Sequence, residues 1–181
     1  VLKRNQDEII RRSGRSIVVT MIADRDLARA NSFADSGVTV TDNALDVVMH
    51  PEIDVVVELI GGTTVAKELV LTAIAQGKHV VTANKALLAN HGAEIFSAAR
   101  AKGVMVAFEA AVAGGIPIIK ALREGLTANR IEWVAGIING TANFILSEMR
   151  EKSLPFAPVL EEAQKLGYAE ADPTYDIRSE E

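Results

Sequence analysis

The sequence predicts an α/β fold built on a parallel, doubly wound sheet, with a change of pattern after it. Three observations predict it. Apolar, β-branched runs recur at 16–23, 54–60, 78–83 and 104–110. Helical stretches with capping residues and terminal glycines lie between them, and the connections are short. Strands that read as continuous apolar runs and alternate with helices pack as a parallel sheet covered on both faces.

The elements follow in order. Val1, Leu2, Ile9 and Ile10 fall on one face of an opening helix that Gly14 stops. Residues 16–23 read as a strand buried on both faces. Asp26 caps a helix running to Gly37, residues 38–40 form a short strand, and 43–49 form a short helix halted by His50 and Pro51. Residues 54–60 are the next buried strand, followed by Gly61, Gly62, Thr63 and Thr64. A helix at 65–76 ends at Gly77, a strand follows at 78–83, and Asn84 opens a helical stretch to Lys102 with an expected break at 90–92. The strand at 104–110 completes this part.

The pattern then changes. Residues 111–115 are small and Gly-rich, and 116–126 read as a helix with Pro117 in its first turn. A strand is expected at 131–138, then a turn at 139–141 into a helix, and a last helix at 156–166 closed by Gly167. Trp133 and Phe144 occupy core-like positions. The boundary falls near 108–115, dividing the chain into regions 1–108 and 109–181.

Composition excludes several classes. The 181 residues are 49% hydrophobic and 24% charged, which is ordinary globular usage and too apolar for disorder. No apolar run reaches the roughly 18–20 residues of a membrane span, so no membrane role is expected. A net charge of −5 and an aromatic content of 4% argue against a nucleic-acid partner. The absence of cysteine excludes thiol nucleophiles and zinc–thiolate sites. No HExxH pair, GxSxG elbow or Walker loop occurs. His50 and His91 are scattered, and His79, within a strand, reads as structural.

The polar strand ends are the first functional candidates, because open parallel sheets bind ligands at the carboxyl ends of their strands. These ends carry Asp24 and Arg25, the 61–64 loop, the 82–85 turn and Glu109. At the first, a dinucleotide enzyme reads the adenosine ribose. An acid favours a free 2′-hydroxyl and an arginine a 2′-phosphate, so NAD against NADP stays open, with Arg25 favouring NADP. The pyrophosphate-cradling GxGxxG does not occur; it belongs between a first strand and the helix that opens this chain. Lys85 opposes the helix dipole, so it needs another reason to be there. It could bind a carboxylate or cofactor oxygen or join a proton relay, or be an ordinary exposed lysine. Glu170, Asp172 and Asp176 lie within seven residues around Pro173. They suit an ammonium group, a metal or a lysine network, or form an acidic surface loop.

ELIGG (58–62), VVTANKALLA (80–89), FEAAVAGGIPII (108–119), GIINGTANFIL (136–146) and LGYAEADPTYD (166–176) stand in this order. Together they resemble the homoserine dehydrogenase family over nearly the whole chain. The resemblance implies a Rossmann-type parallel sheet, here without its first strand, followed by part of a dimerisation and catalytic domain. It implies reduction of aspartate semialdehyde to homoserine with NADP or NAD, on the route to threonine, methionine and isoleucine, in a cytoplasmic homodimer or higher homo-oligomer. It assigns Lys85 a place beside nicotinamide and substrate, and Gly62, Thr63, Gly167 and Arg25 contacts to the cofactor. Glu170 would bind the substrate amino group, with Asp172 and Asp176 in the same loop. Glu109 with Val112, Gly114 and Ile116 would hold a monovalent cation, sodium or potassium.

Two departures accompany the resemblance. The GxGxxG does not occur, and the family's EGxDxxxK-like stretch, with its proton-donating lysine, does not follow Asp176. The chain opens without Met or a signal-peptide pattern, and both ends read as cut, so as written it is expected to lack catalysis while its parent is an enzyme. The rival readings are a dihydrodipicolinate-reductase-like oxidoreductase and a dinucleotide-binding or dimer-forming module without turnover.

Overall fold

The structure, a computed structural model, describes residues 1–137, 139–169 and 173. The chain forms two compact units, Val1–Ile119 and Lys120–Glu181.

The first unit alternates strands and helices. It contains α1 (Gln6–Ser13), β1 (Met21–Ala23), α2 (Leu27–Phe33), β2 (Thr39–Thr41), α3 (Ala44–Met49), β3 (Val55–Glu58), α4 (Val65–Ala75), β4 (His79–Thr82), α5 (Lys85–Lys102) and β5 (Val106–Ala107). All strand pairs are parallel: β1 pairs with β2, and β3, β4 and β5 form a second sheet in that order. The register sets Glu58 opposite Thr82.

Side-chain chemistry explains where the helices start. Asp26 Oδ1 accepts from the Arg29 N–H at 3.0 Å, Asn43 Oδ1 from Leu45 N–H at 3.1 Å, and Asn84 Oδ1 from Leu87 N–H at 3.0 Å. Each satisfies a first-turn amide that has no partner within its helix. Helix α5 ends at Gly103, whose φ of 68° is cheap only for a residue without a Cβ.

The core lies under the three-stranded sheet. Val70, Ala73 and Ile74 of α4 and Leu87 and Ile95 of α5 pack against Val56 and Val80. Lys67 Nζ lies 2.8 Å from Glu94 Oε2, linking α4 to α5 at the surface. At the amino ends of the strands, the buried Lys78 donates to the carbonyls of His50 and Ile53 at 2.5 and 2.7 Å. His79 has the expected structural role: its Nδ1 accepts from the Met105 N–H at 2.9 Å.

Several expectations are corrected. The strand expected at 16–23 narrows to Met21–Ala23, and Ile17, Val18 and Val19 are exposed, because β2 pairs only with its last residues. Strand β3 is buried on one face, not both: Val56 and Glu58 are covered by the helices, while Val55 and Val57 are exposed. The opening helix buries none of its residues. Helix α5 runs unbroken through 90–92, where the Asn90 side chain bonds back to the Ala86 carbonyl and Gly92 lies buried beside the Phe96 ring.

The second unit holds α6 (Ile118–Lys120, its start lying in the first unit), which continues as a π turn at Ala121–Gly125, then α7 (Gly140–Lys152) and α8 (Phe156–Lys165). Asn139 Oδ1 caps α7 by accepting from the Ala142 N–H at 2.8 Å. Ile145 packs with Val159 and Ala163 of α8, and the Phe144 and Tyr168 rings lie 4.9 Å apart. No strand forms at 131–137, and Trp133 is 78% exposed rather than in the core. No helix among the described residues is long and apolar enough to cross a membrane.

Candidate functional site

The site grows from the carboxyl ends of β3 and β4. Glu58 is the last residue of β3 and points to the buried side with Val56. Its Oε1 accepts from the amides of Ile60 and Gly61 at 2.9 and 3.0 Å, and its Oε2 accepts from Thr82 Oγ at 2.6 Å. Thr82 Oγ in turn accepts from the Asn84 N–H at 3.0 Å. The Asn84 side chain works twice: Oδ1 caps α5 while Nδ2 donates to the Gly62 carbonyl at 2.7 Å. Buried polar groups persist when each finds a partner, and this network meets that requirement.

The result is a tied pair of loops. Gly61 and Gly62 take φ of 75° and 73°, and a Cβ added to either would meet nothing within 4 Å. Their backbone is open to an approaching group. Thr63 is half-buried beside them, and Lys85 is exposed as the first residue of α5. Three of the expected site residues, Gly62, Thr63 and Lys85, therefore gather around the Asn84 anchor.

A second cluster sits at the end of β1. Asp24 Oδ1 accepts from the Asp26 N–H at 3.0 Å and its Oδ2 accepts from Arg29 Nη2 at 2.6 Å. The amide bond, followed by the guanidinium, holds the Asp24 carboxyl below the usual carboxylate range. Arg25 is exposed next to it.

Glu109 opens a third feature. It starts a short 3-10 turn, Glu109–Ala111, and its Oε1 accepts from the Ile119 N–H at 2.9 Å, closing the loop between them. Val112 N–H donates to the Glu109 carbonyl at 3.3 Å, and Ile116 N–H to that of Ala113 at 3.1 Å. Gly114 has a φ of 56° within this loop. Among the described residues no three His, Asp or Glu side chains gather as a metal site. A cation here would depend on one carboxylate and on backbone carbonyls.

Gly167 belongs to the second unit, where its φ is 79°. Glu170, Asp172 and Asp176 lie outside the described residues. Glu58, Thr82, Asn84 and Arg29 join these sites through side-chain hydrogen bonds that local sequence does not mark. The signal for Glu58 is in the sequence: a single acid inside the apolar run VVVELI (55–60), two residues from Val56.

Parallel strands alternating with helices, with Gly-rich and capped loops at their carboxyl ends, define a Rossmann-type nucleotide-binding protein. Residues 1–109 match the family model for the NAD-binding domain of homoserine dehydrogenase, and residues 117–181 match the homoserine dehydrogenase model. The chain belongs to the homoserine dehydrogenase family. It is 68% identical over 178 residues to the homoserine dehydrogenase of Pseudomonas aeruginosa, covering 98% of this chain and 40% of the relative. It superposes on the crystal structure of a homoserine dehydrogenase from Thiobacillus denitrificans with a TM-score of 0.88 and 69% identity, covering 97% of this chain and 41% of that one. A hyperthermophilic archaeal homoserine dehydrogenase in complex with NADPH aligns with a TM-score of 0.75 and 27% identity, covering 96% of this chain and 60% of that one. The chain thus spans about two-fifths of the length of the first two relatives. Family membership sets aside the dihydrodipicolinate-reductase-like reading.

Proposed function

We propose that this chain supplies the cofactor-binding region, and the start of the substrate region, of an enzyme that interconverts L-aspartate 4-semialdehyde and L-homoserine with NADP or NAD. The reaction serves threonine, methionine and isoleucine biosynthesis. The observation that carries the reading is the 2.7 Å bond from Asn84 Nδ2 to the Gly62 carbonyl. It brings the glycine loop and the Lys85 turn together at the carboxyl ends of adjacent parallel strands, where such sheets bind ligands.

The residues present fit a nicotinamide dinucleotide. Gly61 and Gly62 leave open backbone where a side chain would block close approach. When bound, the cofactor supplies or accepts the hydride at C4 of the substrate. The chain's own groups orient and neutralise. Gly62 and Thr63 border the cofactor, Gly167 contacts it, and Arg25 meets the adenosine 2′-phosphate. The Lys85 ammonium holds the reacting oxygen and eases proton transfer there as aldehyde becomes alcohol. Glu170, with Asp172 and Asp176, binds the substrate amino group. The Glu109 carboxylate and the carbonyls of Val112, Gly114 and Ile116 hold sodium or potassium, in keeping with hard oxygen ligands. A cytoplasmic homodimer belongs to the same proposal, which family membership supports.

The test uses a full-length protein carrying this sequence. Aspartate semialdehyde is expected to drive NADPH oxidation, and homoserine the reverse. NADPH binding without turnover of either substrate would overturn the assignment in favour of a non-catalytic dinucleotide module.

A further inference from the structure

We propose that Glu58 is a positioning residue for the cofactor loop: its buried carboxylate sets the backbone of 60–62 and, through Thr82 and Asn84, the turn that presents Lys85. The proposal rests on the reading of Gly62 and Thr63 as cofactor neighbours.

Four observations carry it. Glu58 is 4% exposed at the end of an otherwise apolar strand. A carboxylate is retained in such a place only when donors replace the water it gives up. It has three: the loop amides of Ile60 and Gly61, and the hydroxyl of Thr82, which is itself buried at the end of the neighbouring strand. Accepting two successive amides on one oxygen turns the chain sharply after β3, where Gly61 and Gly62 both take positive φ. The second oxygen carries the same constraint across the sheet, because Thr82 Oγ also accepts the Asn84 amide and Asn84 anchors Gly62. Loop and turn are thus fixed from below by one side chain that need not touch the cofactor. Orientation of this kind acts through binding geometry, so its loss falls first on cofactor affinity.

The experiment compares Glu58→Ala, Glu58→Gln and Glu58→Asp with wild type in the full-length protein. It reads KM for NADPH, kcat at saturating NADPH, and hydrogen exchange at the Ile60 and Gly61 amides without ligand. Glu58→Ala is expected to raise the KM about tenfold, to change kcat less than about threefold, and to lose protection at both amides. Glu58→Gln keeps an oxygen for both amides and is expected to restore protection and most of the affinity. Glu58→Asp falls short by one methylene, behaves as Glu58→Ala does, and carries the test should the alanine variant fail to fold. Unchanged KM and protection in Glu58→Ala or Glu58→Asp would overturn the proposal, as would a glutamine variant no better than alanine. A wild type that binds no NADPH defeats the cofactor reading separately. Amide exchange then decides whether Glu58 shapes the loop: protection lost in Glu58→Ala upholds that role, and protection kept overturns it.

Discussion

Arg29 Nη2 donates to Asp24 Oδ2 at 2.6 Å, joining the end of β1 to the first turn of α2. In the proposed cofactor site this acid would read the ribose, yet its charge is already offset. One oxygen is taken by the guanidinium and the other by the Asp26 amide. An acid at this position ordinarily favours a free 2′-hydroxyl. Neutralised by Arg29 and flanked by Arg25, it opposes a 2′-phosphate much less.

Cofactor choice follows from that pair. In the full-length protein, Arg29→Ala releases the Asp24 carboxylate and is expected to lower the NADP-over-NAD ratio of kcat/KM about five- to tenfold. Arg25→Ala is expected to lower it as well, by removing a phosphate partner. A ratio unchanged in Arg29→Ala would show that Asp24 does not face the ribose.

The same carboxylate gives a pH signature. Its folded pKa lies below its unfolded value, chiefly through the Asp26 amide and then Arg29. Its stabilisation is therefore present above the ordinary carboxylate pKa and disappears as pH falls through the depressed one. The melting temperature of wild type should exceed that of Asp24→Asn near neutrality, and the gap should close on acidification. A gap that persists in acid would contradict the linkage.

At the opposite end of the strands, Lys78 is expected to act on stability and not on cofactor binding. It is 4% exposed and holds two carbonyls, those of His50 and Ile53. Lys78→Met keeps most of the stem but removes the donor to the Ile53 carbonyl and leaves the His50 carbonyl only the Ile53 amide at 3.3 Å, at a cost of about 1–3 kcal/mol. Urea denaturation should show the lower midpoint, while the KM for NADPH stays at the wild-type value. A large rise in that KM would place Lys78 in the site.

Gly62 should respond in the reverse sense. With φ at 73° and nothing within 4 Å of an added Cβ, Gly62→Ala meets no clash inside the protein. Its direct cost is the left-handed backbone, about 1–2 kcal/mol. The methyl group would occupy the open side of the loop, so NADPH affinity should fall well beyond the modest loss of stability. Calorimetric titration showing normal affinity would move the cofactor away from this loop.

The alternation of strands and helices was legible because it depends on local signals. Asp26, Asn43, Asn84 and Asn139 cap helices where their side chains stand next to unpaired amides, and sequence neighbours alone set that. Strand extent was less legible. Residues 16–19 have the composition of strand but no partner among the described residues, since β-structure requires a neighbour that local sequence does not specify. Trp133 failed for a related reason: an apolar residue reads as core unless the surface it would cover is known.

The succession of elements, the two glycines after β3 and the lysine that begins α5 follow from local sequence, because turn residues and apolar periodicity act over a few positions. The hydrogen bond between Glu58 and Thr82, 24 positions apart, and the reach of Asn84 to the Gly62 carbonyl come from folding alone. Parallel pairing of β3 with β4 brings those side chains within reach, and the register that does so is a property of the sheet rather than of either strand.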